Sequence, residues 1–346
     1  MKKQRGRPVT LTQLKTGVPG LDEVLGGGVP KYSFNVISGE PGTGKTTLAH
    51  QILSTHASAS STALYFTALG ESPMKVLRYQ QQMALFDPAQ IGTSIRFVDL
   101  SREISEGDLN AALTRIQREV AETQAELVVL DSFRSVAGAG LRSSEKGLAL
   151  EDFVHRLALH LAAWQVTSFL LGEYASDEVN GHPLFTVADG TIWLSQLEEG
   201  NSVVRKLQVK KLRGQASMAG LHAFRISSEG LQVFPRVANR PPPARRGSPI
   251  ERLASGVPGL DEMLNGGFIA GDSTLLAGPS GVGKTVFATQ YIAAAARHGE
   301  PSVLVAFEEQ PDDYFDRAQG LGIDLAGLVD AGKVKILYLR LLDMSA

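Results

Sequence analysis

The seven residues Gly17-Val18-Pro19-Gly20-Leu21-Asp22-Glu23 recur letter for letter at Gly256-Val257-Pro258-Gly259-Leu260-Asp261-Glu262. Each copy begins 22 positions before a loop of the form G-x-x-x-x-G-K-[ST]. The first loop is Gly39-Glu40-Pro41-Gly42-Thr43-Gly44-Lys45-Thr46 and the second is Gly278-Pro279-Ser280-Gly281-Val282-Gly283-Lys284-Thr285. Lys45 and Lys284 are 239 positions apart, and so are Gly17 and Gly256. One offset shared by two separated motifs means that a whole folding unit has been duplicated.

The 346 residues hold two medium-sized domains without strain. We expect a basic tail over 1–10, a first domain over 11–237, a linker over 238–249 and a second domain over 250–346. The linker contains four prolines, and Arg240, Arg245 and Arg246 surround the run Pro241-Pro242-Pro243. Lys2, Lys3, Arg5 and Arg7 make the tail basic. Glycine and proline interrupt both stretches and no aromatic residue accompanies them, so they read as solvated tail and linker. A net charge of −2 and the lack of basic residues interleaved with aromatics argue against a nucleic-acid partner. No cysteine is present, which excludes a disulfide framework and thiol-ligated metal, and fits a reducing cytoplasm. The basic start leads into polar residues rather than an apolar stretch, so it does not read as a secretory signal. No apolar run approaches the roughly 20 residues of a membrane-spanning helix.

Strand and helix patterns alternate through the first domain. Strands are expected at Tyr32–Ser38, Ala63–Ala68, Ile95–Asp99, Leu127–Leu130 and Ser168–Leu171, and helices at Thr46–His56, Pro73–Phe86, Leu109–Glu126 and Leu148–Trp164. Such alternation implies an α/β fold with a mainly parallel sheet covered by helices on both faces. From Asp189 the period becomes that of strands, at Thr191–Leu194, Val203–Val209, Ala223–Ser227 and Leu231–Phe234, which reads as antiparallel hairpins closing the domain. The second domain repeats strand Ser273–Ala277, helix Thr285–Arg297, strand Ser302–Phe307 and helix Pro311–Gly320.

Both loops lie between a predicted strand and a predicted helix, where backbone N–H groups and a helix N-terminus form a cradle for a di- or triphosphate. Lys45 would reach the β and γ phosphates, Thr46 and, in the second loop, Thr285 would supply hydroxyls to Mg²⁺, and Thr47 would bind the nucleotide beside Thr46. Asp131, at the end of the apolar run Leu127-Val128-Val129-Leu130, supplies the acid on the metal side. Hydrolysis also needs a carboxylate to orient water. Glu308 and Glu309 follow the strand of the second domain; aligning Pro73 with Pro311, one residue off the 239 offset, sets Gly70 against Glu308 and Glu71 against Glu309. If the position of Glu308 supplies the base, the first site has lost it, unless Glu71 substitutes. The competing reading is that these glutamates only begin the next helix.

These motifs, together with Val129-Leu130-Asp131-Ser132, Phe307-Glu308-Glu309-Gln310-Pro311 and the stretch from Lys211-Leu212-Arg213-Gly214 to Met218-Ala219-Gly220, resemble the KaiC family of circadian-clock ATPases, within the wider RecA-like group. The resemblance runs over nearly the whole chain. It implies tandem RecA-like domains, ATP and Mg²⁺ as ligands, and a hexameric double ring with ATP held between neighbouring subunits. It also gives Lys211 and Arg213 a role, reaching from one protomer toward phosphates bound by the next, as an arginine finger does. Intact family members also phosphorylate their own serine and threonine residues.

The chain departs from the family in one respect. Lys45 precedes Asp131 by 86 positions, so the equivalent acid should fall at about position 370, past Ala346. The second domain is therefore expected to lack that acid and the later strands, as a fragment or as a naturally shortened form, with an exposed sheet edge. The leading expectation is a ring-forming regulatory ATPase whose turnover lies in the first domain and whose signalling partners are unspecified. The alternatives are an ATP-binding assembly module with little hydrolysis and, with less support, a DNA-interacting RecA-like ATPase.

Overall fold

The strands of the first unit owe their positions to alternation. In β4 (Leu127–Asp131) the side chains of Leu127 and Val129 join one buried cluster and those of Val128 and Leu130 join another. A strand with apolar residues on both faces must lie inside a sheet covered on both sides. The computed structural model describes residues 11–68, 73–140, 146–175, 178–179, 181–199, 202–236, 251–307 and 309–339. The basic tail, the 238–249 linker, Gly70, Glu71 and Glu308 lie outside the described residues.

The other strands of the large sheet of the first unit are β1 (Phe34–Gly39), β2 (Ala63–Thr67), β3 (Ile95–Asp99), β5 (Thr167–Gly172), β6 (Gly190–Glu199), β7 (Ser202–Leu212), β8 (His222–Ser227) and β9 (Gly230–Phe234). They form one nine-stranded sheet in the order β9-β8-β7-β6-β1-β5-β4-β2-β3. From β6 to β3 every pairing is parallel, and β6-β7, β7-β8 and β8-β9 are antiparallel. One face is covered by α1 (Lys45–His56), whose Leu48, Ala49, Ile52 and Leu53 are buried against Ile37, Tyr65, Val129 and Leu171. The short helix α2 (Pro73–Gln80) adds Val76 to that first face. The other face carries α3 (Leu109–Thr123), α4 (Phe133–Gly140) and α5 (Lys146–Ala163), which pack Leu113, Ile116, Phe133, Val154 and Leu157 on Val36, Leu64, Val128 and Leu170. The helix of α3 starts where the Asp108 carboxylate accepts from the Ala111 N–H, a side-chain cap. The α/β architecture with a mainly parallel sheet is thus present, and Leu127–Asp131 is a buried central strand.

The chain divides into two compact units at Ala238/Asn239. In the second unit β10 (Ser302–Ala306) pairs in parallel with β11 (Val334–Tyr338). Both stand at the 239 offset from β2 and β3. The helices α6 (Lys284–Arg297), α7 (Pro311–Gly320) and α8 (Leu325–Asp330) bury Ala293, Ala296, Ala318 and Leu325 with Val334. One expectation fails here, because Ser273–Ala277 forms no strand and is exposed throughout. The sheet order of the first unit supplies the reason. There β1 is hydrogen-bonded between β5 and β6, and β5 and β4 separate it from β2. No counterparts of β4, β5 or β6 occur among the described residues of the second unit, so this segment has no ladder to join.

Candidate nucleotide site

In the first unit the loop after β1 turns at the carboxyl ends of the parallel strands, beside β5, where the chain's course reverses across the sheet. Gly42 and Gly44 adopt φ of 76° and 98°, values that a side chain makes costly. The left-handed Gly44 turns the backbone directly into α1, so the loop N–H groups and the helix N-terminus face one cavity of about 530 Å³. Gly42, Gly44, Lys45, Thr46, Thr47, Asp131 and Glu173 contribute to its wall. A Cβ built on Gly42 meets no atom within 4 Å, so its backbone is open to a ligand.

The Lys45 ammonium donates to the carbonyls of Gly39 at 3.0 Å and Glu40 at 2.8 Å. Burial lowers its pKa, while the nearby Glu173 and Asp131 carboxylates act in the opposite direction. Thr46 Oγ1 donates to Asp131 Oδ2 at 2.9 Å. β4 and α1, far apart in sequence, thus place a hydroxyl and a carboxylate together. The donor set fits Mg²⁺, which is typically held by one or two carboxylates plus substrate phosphate oxygens and water. Among the described residues no cluster of three or more His, Asp or Glu offers a cage for any other metal.

Of the remaining residues named from sequence, Pro41 and Thr43 belong to the same loop, and Thr43 Oγ1 donates to the Glu40 carbonyl at 2.8 Å, bracing the turn. Lys211 and Arg213 do not line the cavity. Lys211 Nζ donates to the carbonyls of Phe185 and Thr186, both at 3.1 Å, and Arg213 pairs with Asp189 at 3.2 Å. Arg213 lies one residue beyond the end of β7, so the two cations share a neighbouring segment, 185–189, without both standing on the strand. Burial first, then Arg213, lowers the Lys211 pKa.

In the second unit Lys284 Nζ donates to Gly278 O at 2.9 Å and Pro279 O at 2.8 Å, the same two positions that hold Lys45. Gly281 and Gly283 take φ of 80° and 98°, within a few degrees of Gly42 and Gly44. The loop conformation is therefore written locally. Its surroundings differ, because Pro279, Ser280 and Val282 are exposed and Thr285 has no strand-end acid beside it among the described residues. Glu309 is engaged elsewhere, in a two-pronged pair with Arg317 of α7 at 2.8 and 3.0 Å. That pair lowers the carboxyl pKa of Glu309, which makes it a weaker base.

Sequence reasoning missed Glu173. It follows β5 directly, and its carboxylate stands 3.7 Å from Lys45 Nζ. The signal was available, since Glu173 follows an apolar strand much as Asp131 ends one. What was hidden is that β5 lies next to β1.

The fold and this site define an α/β P-loop nucleotide-binding protein of the RecA-like class. A family model described as "ATPase: KaiC" matches residues 14–238 and 253–342. The chain belongs to the KaiC family of ATPases. It is 29% identical over 336 residues to the circadian clock oscillator protein KaiC of Picosynechococcus sp. (strain ATCC 27264 / PCC 7002 / PR-6), covering 94% of this chain and 64% of that protein. It is 29% identical over 348 residues to the protein of the same name from Acaryochloris marina, covering 97% and 65%. Against the circadian clock oscillator protein KaiC 1 of Synechocystis sp. the identity is 30% over 349 residues, covering 96% and 66%. The chain spans just under two thirds of the length of these relatives. No helix among the described residues is long and apolar enough to cross a membrane.

Proposed function

We propose that the first unit binds ATP with Mg²⁺ and hydrolyses it at the subunit interface of a nucleotide-dependent ring, as a slow regulatory ATPase. The observation that carries this reading is the meeting of Lys45, Thr46 and Asp131 in one cavity at the carboxyl ends of β1 and β4. Backbone N–H groups from Gly42 to Thr47 would hold the phosphates, and Lys45 would leave its two loop carbonyls to neutralise the β and γ oxygens. Thr46 and Asp131 would hold the cation, which supplies further charge neutralisation. Glu71 would orient the attacking water. Lys211 and Arg213 would exchange their contacts on 185–189 for the phosphates of a neighbouring protomer, in a six-membered ring as the family resemblance implies. The second loop, Gly278 to Thr285, would bind nucleotide more weakly, with Glu308 and Glu309 as its acids. We further propose domain limits of 11–237 and 250–346, a reducing cytoplasmic setting, and self-phosphorylation as a secondary activity, to be read by label transfer from γ-labelled ATP.

The test joins turnover and assembled mass, each with and without Mg²⁺·ATP, for the wild type and Lys45→Ala. Turnover that appears with ATP-dependent rings and vanishes in Lys45→Ala is the expected result. Retained ATP affinity in Lys45→Ala would sink the assignment. A second reading is favoured by Gly70, which matches Glu308 when Pro73 is aligned with Pro311, one residue off the 239 offset. On that reading ATP is ring glue and little is hydrolysed, and measured turnover that Glu71→Gln removes would reject it.

A further inference from the structure

Asp131 is held from a second direction. The Tyr65 hydroxyl donates to Asp131 Oδ2 at 2.7 Å, the oxygen that also accepts from Thr46. Register explains the contact, since Tyr65 lies opposite Val129 and Thr67 lies opposite Asp131. Tyr65 and Asp131 are therefore diagonal neighbours on the α1 face, a spacing that an aromatic side chain can bridge. Tyr65 is fully buried, and its ring stacks on Phe97 of β3 at 5.0 Å and 29°. A phenol this deep needs an acceptor, and Asp131 Oδ2 provides one. At the 239 offset the second unit has Leu304, which carries no hydroxyl.

We propose that Tyr65 is a positioning residue for the Mg²⁺ site of the first unit, its phenol fixing the carboxylate plane of Asp131 for the cation. This rests on the reading of Thr46 and Asp131 as the metal-side pair. A carboxylate at the end of a strand can swing about its side-chain torsions. Tyr65, clamped between Phe97 and the core, removes that freedom before any ligand arrives. Groups that orient a metal ligand from behind commonly account for a 10- to 100-fold share of metal affinity. Thr46 cannot do this alone, because its hydroxyl is itself a candidate ligand.

The test uses the full chain. Tyr65→Phe keeps the ring and its stacking and deletes only the hydroxyl. Binding of a fluorescent ATP analogue is followed in EDTA and then through a Mg²⁺ titration, with thermal unfolding recorded alongside. The expected result is unchanged affinity in EDTA and a Mg²⁺ midpoint raised about tenfold. Tyr65→Leu, which copies Leu304, should shift the midpoint at least as far. A Mg²⁺ midpoint equal to that of the wild type overturns the proposal, and so does an equal loss of affinity with and without Mg²⁺, which would make the role one of packing. Asp131→Asn separates the two layers of argument. If it abolishes the Mg²⁺ response while Tyr65→Phe leaves it intact, only the role of Tyr65 falls. If Asp131→Asn responds as the wild type does, the metal reading falls and takes Tyr65 with it.

Discussion

Lys45 works beside an acid that is not part of its motif. Glu173 stands 3.7 Å from the ammonium and faces the cavity that must accept phosphate, so its charge opposes the incoming ligand. Glu173→Gln should therefore tighten ATP binding, on the order of tenfold, as read by equilibrium titration, and a weakened affinity would refute the opposition. His50, on the buried side of α1, is a different case. Its ring stacks on Phe86 at 6.0 Å, and burial pushes its pKa from 6.5 down to about 4. The unfolded chain then takes the proton more readily than the folded one between those values. Stability should hold above about pH 7 and fall by up to about 3 kcal/mol as pH drops from about 6.5 to about 4. Urea midpoints across that range should decline less steeply for His50→Leu than for the wild type. An unchanged slope would assign the acid sensitivity to carboxylates instead.

At the scale of elements, identical letters do unequal work. The repeated heptapeptide places an aspartate that accepts from the backbone six residues earlier in both units, Asp22 from Thr16 at 2.9 Å and Asp261 from Ser255 at 2.7 Å. Its second glycine is another matter. Gly20 takes φ of 77°, and a Cβ there would lie 2.0 Å from the Val233 carbonyl oxygen of β9. Gly259 lies inside the helix Pro258–Met263 with nothing within 4 Å. Gly20→Ala should cost about 2–3 kcal/mol by strain and backbone clash, whereas Gly259→Ala should be neutral or stabilise by roughly 0.5–1 kcal/mol. Urea unfolding of the two variants checks both, and equal effects would show that the repeat reflects a shared local role. The loop elements behave in the opposite way, since Lys45 and Lys284 find the same two carbonyl positions in very different surroundings.

At the scale of the molecule, the two units differ in sheet completeness. β1 is flanked on both sides by parallel strands, and Ser273–Ala277 by none among the described residues. Leu275 is 90% exposed, and Val303, Val305 and Phe307 are exposed as well. Hydrogen exchange on the full chain should find the amides of Phe34–Gly39 strongly protected and those of Ser273–Gly281 exchanging fast. Equal protection would mean that the second segment is paired after all. Much was legible beforehand. The P-loop conformation follows from three or four residues of local glycine geometry, and the apolar run ending at Asp131 announces a buried strand carrying an acid at its tip. The recurring heptapeptide and loop, and with them the resemblance to the family, rest on letters and spacing alone. What the sequence could not disclose is which strands become neighbours, because that is settled by parallel ladders between segments as close as Ala63 and Ile95 and as distant as Asn35 and Gly190. Only the folded sheet puts Glu173 beside Lys45 and Tyr65 beneath Asp131. Only the sheet order, with two strands between β1 and β2, explains why a second copy of the loop strand stands unpaired. Local backbone preference writes the loop, and long-range pairing decides what surrounds it.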